Sequence, residues 1–174
     1  NLSDSGQFED ISLQQGIRQI LYPYEEMEVL NPEWEVILKD IIDSLFEQMS
    51  DEEYNILNEE FGTYMVSRAY EYRQLLEYLV FRYFAKSIYD YDFLGKCQML
   101  VTNFFVIRQM DIIRWLDNHR EYSFKDRMDV VHIFSRQVEY SEDNIENLYE
   151  DFIFDDIFKT DSLIAILWID SENI

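Results

Sequence analysis

Apolar side chains recur every three or four residues along most of this chain, which is the spacing of one face of an α-helix. The clearest stretch begins at Asn31-Pro32, where an Asn cap and a Pro in the first helical position favour a helix start. The apolar stripe that follows comprises Trp34, Ile37, Leu38, Ile41, Ile42, Leu45 and Met49. This pattern predicts an amphipathic helix with one buried face.

Start and stop signals delimit further helices on the N-terminal side. We predict a first helix from about Ser12 to Tyr22 that ends near Pro23. The pair Ser50 and Glu53 matches a capping box and opens another helix. That helix is expected to close at Gly62, since glycine is the usual residue just beyond a helix end.

Similar signals predict three helices at the C-terminal end. Ser123 and Ser141 are expected to cap two of them. Their predicted buried faces comprise Phe124, Met128, Val131, Phe134 and Val138 in the first, and Ile145, Leu148, Tyr149 and Phe152 in the second. The last apolar run, SLIAILWI, has a periodicity compatible with helix or strand, and we favour helix because no other strand is available to pair with it.

Two long aromatic-rich patterns occupy the middle of the chain, Tyr64–Tyr89 and Phe93–Asn118. Each is apolar around most of its circumference, which is typical of helices inside a bundle. We therefore predict an all-α fold, a single-domain bundle over residues 1–174 with about seven or eight helices and a central antiparallel pair formed by these two.

Composition agrees with that fold and limits the classes of partner that the chain can bind. With only 4 Gly and 2 Pro in 174 residues, turns are scarce and long helices are favoured. The longest uncharged central run, Cys97–Ile107, is too short to cross a membrane. The net charge of −22 disfavours direct nucleic-acid or anionic-membrane binding and is compatible with a basic protein partner. The pattern specifies no oligomeric state.

Cysteine content and the first residues bear on the compartment. One cysteine, Cys97, excludes an internal disulfide and a thiolate metal cluster, and it fits a reducing cytoplasmic setting. The opening residues NLSDSGQFED are acidic and polar, unlike a secretory signal. Because the chain lacks an initiator Met, we expect it to be part of a longer protein.

Recognisable catalytic motifs are few. His119 and His132 lie on different predicted elements, and no Glu-x-x-His occurs, so we predict no metal site. Neither a phosphate-binding glycine loop nor a GxSxG turn is present. The sequence therefore offers no hydrolase, nucleotide-binding or self-contained metalloenzyme signature.

Arginines are concentrated in the nearly neutral middle of the chain, where residues 63–136 carry 9 acidic and 11 basic side chains. Arginine in an aromatic environment needs a carboxylate partner or an anionic ligand. The arginines concerned are Arg68, Arg82, Arg108, Arg114 and Arg136. Two alternatives remain open: a pocket for an anionic ligand, or an internal network with Glu77, Asp90, Asp111 and Glu139.

Several segments occur in an order that resembles the C-terminal helical region of the bacterial flagellin lysine-N-methylase family. They are EVLNPEWEVIL from Glu28 to Leu38, EYLVFRYF from Glu77 to Phe84, Leu94-Gly95-Lys96, Val106-Ile107-Arg108, Asp111 to Leu116, and SRQVEYSEDNIENL from Ser135 to Leu148. The resemblance covers roughly residues 28–152. Tyr140 stands where the family often has His.

This resemblance implies that the full-length protein transfers methyl groups from S-adenosylmethionine to lysine amines of flagellin. The family's N-terminal part is rich in cysteines that are suspected ligands of a metal or cluster, whereas this chain contains no such region and is expected to hold no cofactor itself. The chain would then hold substrate or act as a scaffold, and would not be catalytic alone.

The resemblance also selects candidate substrate-binding residues, with no catalytic role assigned to any of them. The candidates are Tyr78, Arg82, Arg108, Arg114, Trp115, Arg136 and Glu139. The competing hypothesis is an interaction protein without a reaction, namely an acidic module or DNA mimic that binds a basic protein partner.

Overall fold

The computed structural model describes residues 11–85, 89 and 91–172, and its regular elements in that range are helical. The α-helices are α1 (Leu13–Glu25), α2 (Pro32–Ile41), α3 (Asp51–Met65), α4 (Ala69–Phe84), α5 (Phe93–Asp117), α6 (Phe124–Phe134), α7 (Glu142–Phe154) and α8 (Thr160–Glu172). The described residues contain no strand, so the predicted all-α fold is confirmed, including a helix for SLIAILWI. No helix in this part of the chain has the length and apolar character needed to cross a membrane.

Short segments of other helical geometry connect some of these helices. A π-helical turn, Ile42–Glu47, continues α2, and a second, Ser135–Glu139, continues α6. In the first, the Gln14 amide donates to the carbonyl oxygen of Leu45 at 2.6 Å, so a side chain satisfies a backbone group that the wider turn leaves available. Two 3₁₀ turns, Val66–Arg68 and Asp156–Phe158, follow α3 and α7.

Helix α5 forms the centre of the bundle. It contacts α1, α2, α4, α6, α7 and α8, and it buries side chains around its whole circumference. Its buried apolar residues include Phe105, Val106, Ile112 and Trp115, and the polar Thr102, Asn103 and Asp111 are buried as well. The prediction that this helix is central is therefore confirmed, and its buried polar groups must find partners inside the core.

Helices α4 and α5 are antiparallel, as predicted. Late in α4, Tyr83 receives a hydrogen bond from Asn103 (3.0 Å), whereas earlier in α4, Tyr72 donates to Asp111 (2.7 Å). Helix α4 nevertheless lies at the side of the bundle, because only its Leu75–Leu79–Tyr83 face is buried and Phe81 is 84% exposed. The prediction that its apolar outer positions lie inside the core was wrong.

Two predicted helix ends were wrong. Helix α1 continues through Pro23 to Glu25, and the buried Tyr24 ring in this last turn packs against Trp34. Helix α3 continues through Gly62, which has no positive φ, and ends instead at the 3₁₀ turn Val66–Arg68. In both cases tertiary packing outweighs a local stop signal.

The predicted inward face of α6 was wrong at its N-terminal end, where Phe124 is 62% exposed and Met128 is exposed. Phe134 and Val138 are buried as predicted. The reason for the difference is that Arg127 pairs with Asp111 of α5, which turns a charged residue towards the core in place of Phe124 and Met128. The caps predicted at Asn31, Ser50, Ser123 and Ser141 are all confirmed, and Ser12 caps α1.

Candidate functional site

The π-helical turn Ser135–Glu139 presents a carboxylate to α4. Phe134 and Val138 are buried and anchor the turn in the core. The buried Gln137 amide also holds it, since it accepts from the Leu30 backbone N–H at 2.9 Å and donates to the Glu28 carbonyl oxygen at 2.7 Å. The turn is thereby fixed to the segment between α1 and α2, and the Glu139 side chain has a defined direction.

Three hydroxyl groups donate to the Glu139 carboxylate. Tyr78 and Ser135 each donate to Oε2 at 2.7 Å, and Tyr83 donates to Oε1 at 3.2 Å. Glu139 is only 7% exposed. Arg82 donates to the backbone oxygen of Glu139 at 3.3 Å, and among the described residues no Lys or Arg nitrogen lies within 4 Å of the carboxylate. Hydroxyl groups thus satisfy a buried carboxylate in place of a cation.

The tyrosines around Glu139 keep their protons at neutral pH. Burial, followed by the hydrogen bond to Glu139, raises the pKa of Tyr78 to about 12. Burial also raises the pKa of Tyr83, and the nearby Glu139 charge adds to that rise. These phenols therefore remain hydrogen-bond donors and cannot serve as bases near pH 7.

Glu139 lines a cavity of about 190 Å³ together with Tyr78, Arg82, Ser135 and Tyr140. We call this the Glu139 cavity. Tyr140 is 80% exposed and stands at its mouth. Pockets for whole cofactors or drug-sized molecules usually measure about 300–1,000 Å³. The Glu139 cavity is thus suited to the end of one side chain.

Larger cavities lie elsewhere on the described part of the molecule, and two of them exceed 400 Å³. A cavity of about 900 Å³ surrounds the exposed turn from α5 to α6, near Asp117, His119 and Glu121. Another, of about 410 Å³, is an apolar groove beside Val66 and Leu76. Neither has the convergence of buried polar groups on one atom that distinguishes the Glu139 cavity.

The seven predicted site residues do not form one cluster. Tyr78, Arg82 and Glu139 come together, and Arg136 lies exposed in the same π-helical turn. The other three are separate from them. Arg108 is buried against Asn58 with Asp170 at 3.7 Å, Trp115 packs on Phe61, and Arg114 lines a groove with Glu33.

Two members of the cluster were absent from the prediction, Ser135 and Tyr83. Ser135 precedes Glu139 by four residues, a spacing that places both on one side of a helical turn. The sequence placed Tyr83 only within the predicted helix Tyr64–Tyr89. Only the fold indicates its role, because Tyr83 accepts a hydrogen bond from Asn103 and donates one to Glu139, and these two residues lie on other elements.

Internal ion pairs also exist, with partners different from those predicted. Asp111 pairs with Arg127, and Arg68 pairs with Glu71 at 2.8 Å. The exposed Glu77 pairs with Arg73. Asp90, another predicted partner, lies outside the described residues. Carboxylate pairing therefore accounts for Arg68, whereas Arg82 contacts a backbone carbonyl.

Metal ligands do not converge in the part of the chain that the structure describes, where no group of three His, Cys, Asp or Glu side chains is placed to hold an ion. Cys97 is half-buried, and burial raises the pKa of its thiol. A thiol of this kind is a weak nucleophile and a weak metal ligand at neutral pH.

Comparison with protein-family models matches residues 4–166 to the FliB lysine N-methylase C-terminal domain. The match covers nearly the whole chain, including every element that forms the Glu139 cavity. Comparison with curated proteins found no match, and comparison with solved structures found none either.

Proposed function

The chain belongs to the family of FliB lysine N-methylase C-terminal domains, and from this premise we propose that it is the substrate-holding domain of a flagellin lysine N-methylase. In this proposal the Glu139 cavity receives the ammonium group of the target lysine. The buried Glu139 carboxylate supports this proposal, because it lines a cavity and, within the part of the chain that the structure describes, has hydroxyl groups and no cation as its side-chain partners.

The chemistry of lysine fits this cavity. An ammonium group donates charge-assisted hydrogen bonds to a carboxylate, and such bonds are roughly twice as strong as neutral ones. The apolar stem of lysine can lie against the rings of Tyr78 and Tyr140 at the mouth. The net charge of −22 adds long-range attraction for a basic segment of the partner.

Holding and methylation require different states of the amine. Methyl transfer needs a neutral amine, whereas Glu139 is arranged to receive a protonated one. We therefore assign Glu139 to binding and orientation, and we place deprotonation in another part of the enzyme. The domain raises the local concentration of the lysine side chain and fixes its direction.

The family resemblance implies a methyl donor and a cysteine-bound metal or cluster, and neither group fits the Glu139 cavity. The Glu139 cavity, at about 190 Å³, is smaller than the usual range for cofactors. One half-buried cysteine cannot bind a cluster. S-adenosylmethionine, which would supply the methyl group, and any metal centre are therefore proposed to belong to the remainder of the full-length protein.

Replacing Glu139 by Gln in a full-length methylase that contains this domain tests the proposal. The amide keeps the size of the side chain but removes its charge, so we expect the KM for flagellin to rise about tenfold or more. We expect kcat to change much less, because Glu139 binds substrate without taking part in methyl transfer. Steady-state methyl transfer at varied flagellin concentration measures both constants.

Glu77→Gln is the matched control, since it removes an exposed carboxylate from α4, the helix that supplies Tyr78 and Tyr83 to Glu139. It should leave the KM within about twofold of the unmodified enzyme. An unchanged KM in Glu139→Gln would contradict the proposal. A fall in kcat at constant KM would contradict it too, because it would assign Glu139 to the chemical step.

A further inference from the structure

The hydrogen bonds around Glu139 have a defined direction from donor to acceptor. Tyr24 donates to Asn103 Oδ1 at 2.7 Å, which fixes the orientation of that amide. Asn103 Nδ2 then donates to the Tyr83 oxygen at 3.0 Å. Because an amide nitrogen can only donate, the single hydroxyl proton of Tyr83 must point to Glu139 Oε1. Tyr83 is thus a positioning residue that holds Glu139 as an acceptor.

Counting acceptor positions shows how much of Glu139 remains for a ligand. An ionised carboxylate offers about four lone-pair positions, two on each oxygen. Tyr78 and Ser135 occupy both positions on Oε2, and Tyr83 occupies one on Oε1. Among the described residues no donor fills the second position on Oε1, and Glu139 lines the cavity, so this position is the one assigned to an entering donor.

A ligand needs only one N–H bond to fill a single acceptor position. Lysine ammonium carries three such bonds, its monomethyl form two, its dimethyl form one and its trimethyl form none. Resting on the proposed function, we propose that the Glu139 cavity binds lysine and its mono- and dimethylated forms about equally. It discriminates against trimethyllysine, which has no N–H, and against acetyllysine, whose amide keeps one N–H but carries no positive charge. The site would then keep a lysine side chain bound as methyl groups are added, up to the second.

The walls of the cavity do not compensate for the missing N–H of trimethyllysine. Sites for quaternary ammonium groups surround the cation with aromatic faces. Here Arg82 and Ser135 form part of the wall, and the Tyr78 hydroxyl is already used by Glu139. The Arg82 guanidinium repels every cation in the cavity, and trimethyllysine alone has no N–H with which to offset this repulsion by a hydrogen bond to the carboxylate.

Titration of the chain with capped lysine and its methylated and acetylated forms tests this inference, with the tyrosine ring signals followed by NMR. We expect the Kd values of the un-, mono- and dimethylated forms to agree within about threefold, and those of the trimethyl and acetyl forms to be about tenfold higher or more. Trimethyllysine binding as well as dimethyllysine would overturn the inference while leaving the cation-holding function in place. Failure of every lysine form to bind would overturn both.

The Ser135→Ala variant provides a sharper test. It opens a second acceptor position on Oε2, and Ser135 lines the cavity, so a ligand can reach that position. Lysine and monomethyllysine can then donate twice, whereas dimethyllysine can donate only once. We expect the first two to bind several-fold more tightly than dimethyllysine in this variant. Equal affinities for all three forms in Ser135→Ala would overturn the count of acceptor positions.

Discussion

Replacing Arg127 by Met is expected to lower the free energy of unfolding by about 3–5 kcal/mol, because it leaves a buried charge without its partner. The Arg127 guanidinium pairs with Asp111, whose side chain is fully buried, and lies 4.2 Å from the centre of the Tyr72 ring. Methionine preserves much of the side-chain volume but supplies no charge. Urea unfolding, followed by circular dichroism, measures the loss.

The loss of stability in Arg127→Met should depend on pH. Burial raises the pKa of Asp111, and the charge of Arg127 is the largest influence that opposes the rise. Without Arg127 the pKa of Asp111 in the folded state rises further. A group whose pKa is raised by folding stabilises the folded state fully at pH values below its pKa in the unfolded state, about 3.9. This stabilisation is lost as the pH rises through its pKa in the folded state. The deficit of Arg127→Met should therefore be smaller at pH 4.5 than at pH 8.

Arg73→Met is the control for this prediction, since it breaks the exposed pair Arg73–Glu77 on α4. Surface pairs of this kind contribute about 0–1 kcal/mol. An Arg127→Met protein as stable as Arg73→Met would show that the buried pair contributes nothing to stability. A deficit that grows towards acid pH would contradict the assignment of the effect to Asp111.

Replacing Trp34 by Ala is expected to lower the free energy of unfolding by a similar amount, about 3–5 kcal/mol, because the surrounding rings cannot fill the space it leaves. Trp34 is 2% exposed and contacts the rings of Tyr24 and Phe134 at centroid distances of 6.4 and 6.2 Å. Both neighbours are connected to the Glu139 cavity. Tyr24 orients Asn103, the hydrogen-bond donor to Tyr83, and Phe134 directly precedes Ser135.

Val36→Ala on the same helix is the matched control, because Val36 is exposed. Its cost should stay within about 0.5 kcal/mol. Thermal unfolding of both variants distinguishes the loss of packing at Trp34 from the change in helix propensity of α2, which alanine raises in both. If the two substitutions lower stability equally, Trp34 does not anchor the core in the way described.

Local sequence signals were sufficient for the elements whose packing agrees with them. The serine and asparagine caps were predicted correctly because capping depends on residues within one helical turn. The central position of α5 was predicted because its sequence is apolar on most faces. The same criterion failed for α4, where Phe81 is exposed, since periodicity does not tell which apolar face the rest of the chain covers.

The failures share one physical cause, which is contact between distant residues. Arg127 turns inwards because Asp111, sixteen positions earlier, needs a cation. The same reason explains why the candidate site was predicted only in part. Resemblance to the family indicated Tyr78, Arg82 and Glu139, but the contribution of Tyr83 depends on Asn103 and Tyr24, which α5 and α1 bring to it.

The Glu139 site joins the stability of the core to the proposed function. Its hydrogen bonds extend from the cavity wall through Tyr83 and Asn103 to the centre of the bundle. A carboxylate held in this way needs little reorganisation when a cation enters, which reduces the free-energy cost of binding. The same connection implies that substitutions deep in α5 can alter substrate affinity without touching the substrate.

Intermolecular NOEs between the chain and a flagellin segment labelled at the lysine ε-methylene test the central claim most directly. We expect NOEs from that methylene to the rings of Tyr78 and Tyr140, and we expect them to be lost in Glu139→Gln. NOEs instead to Val66 and Leu76 of the apolar groove, or to His119 in the turn from α5 to α6, would contradict it.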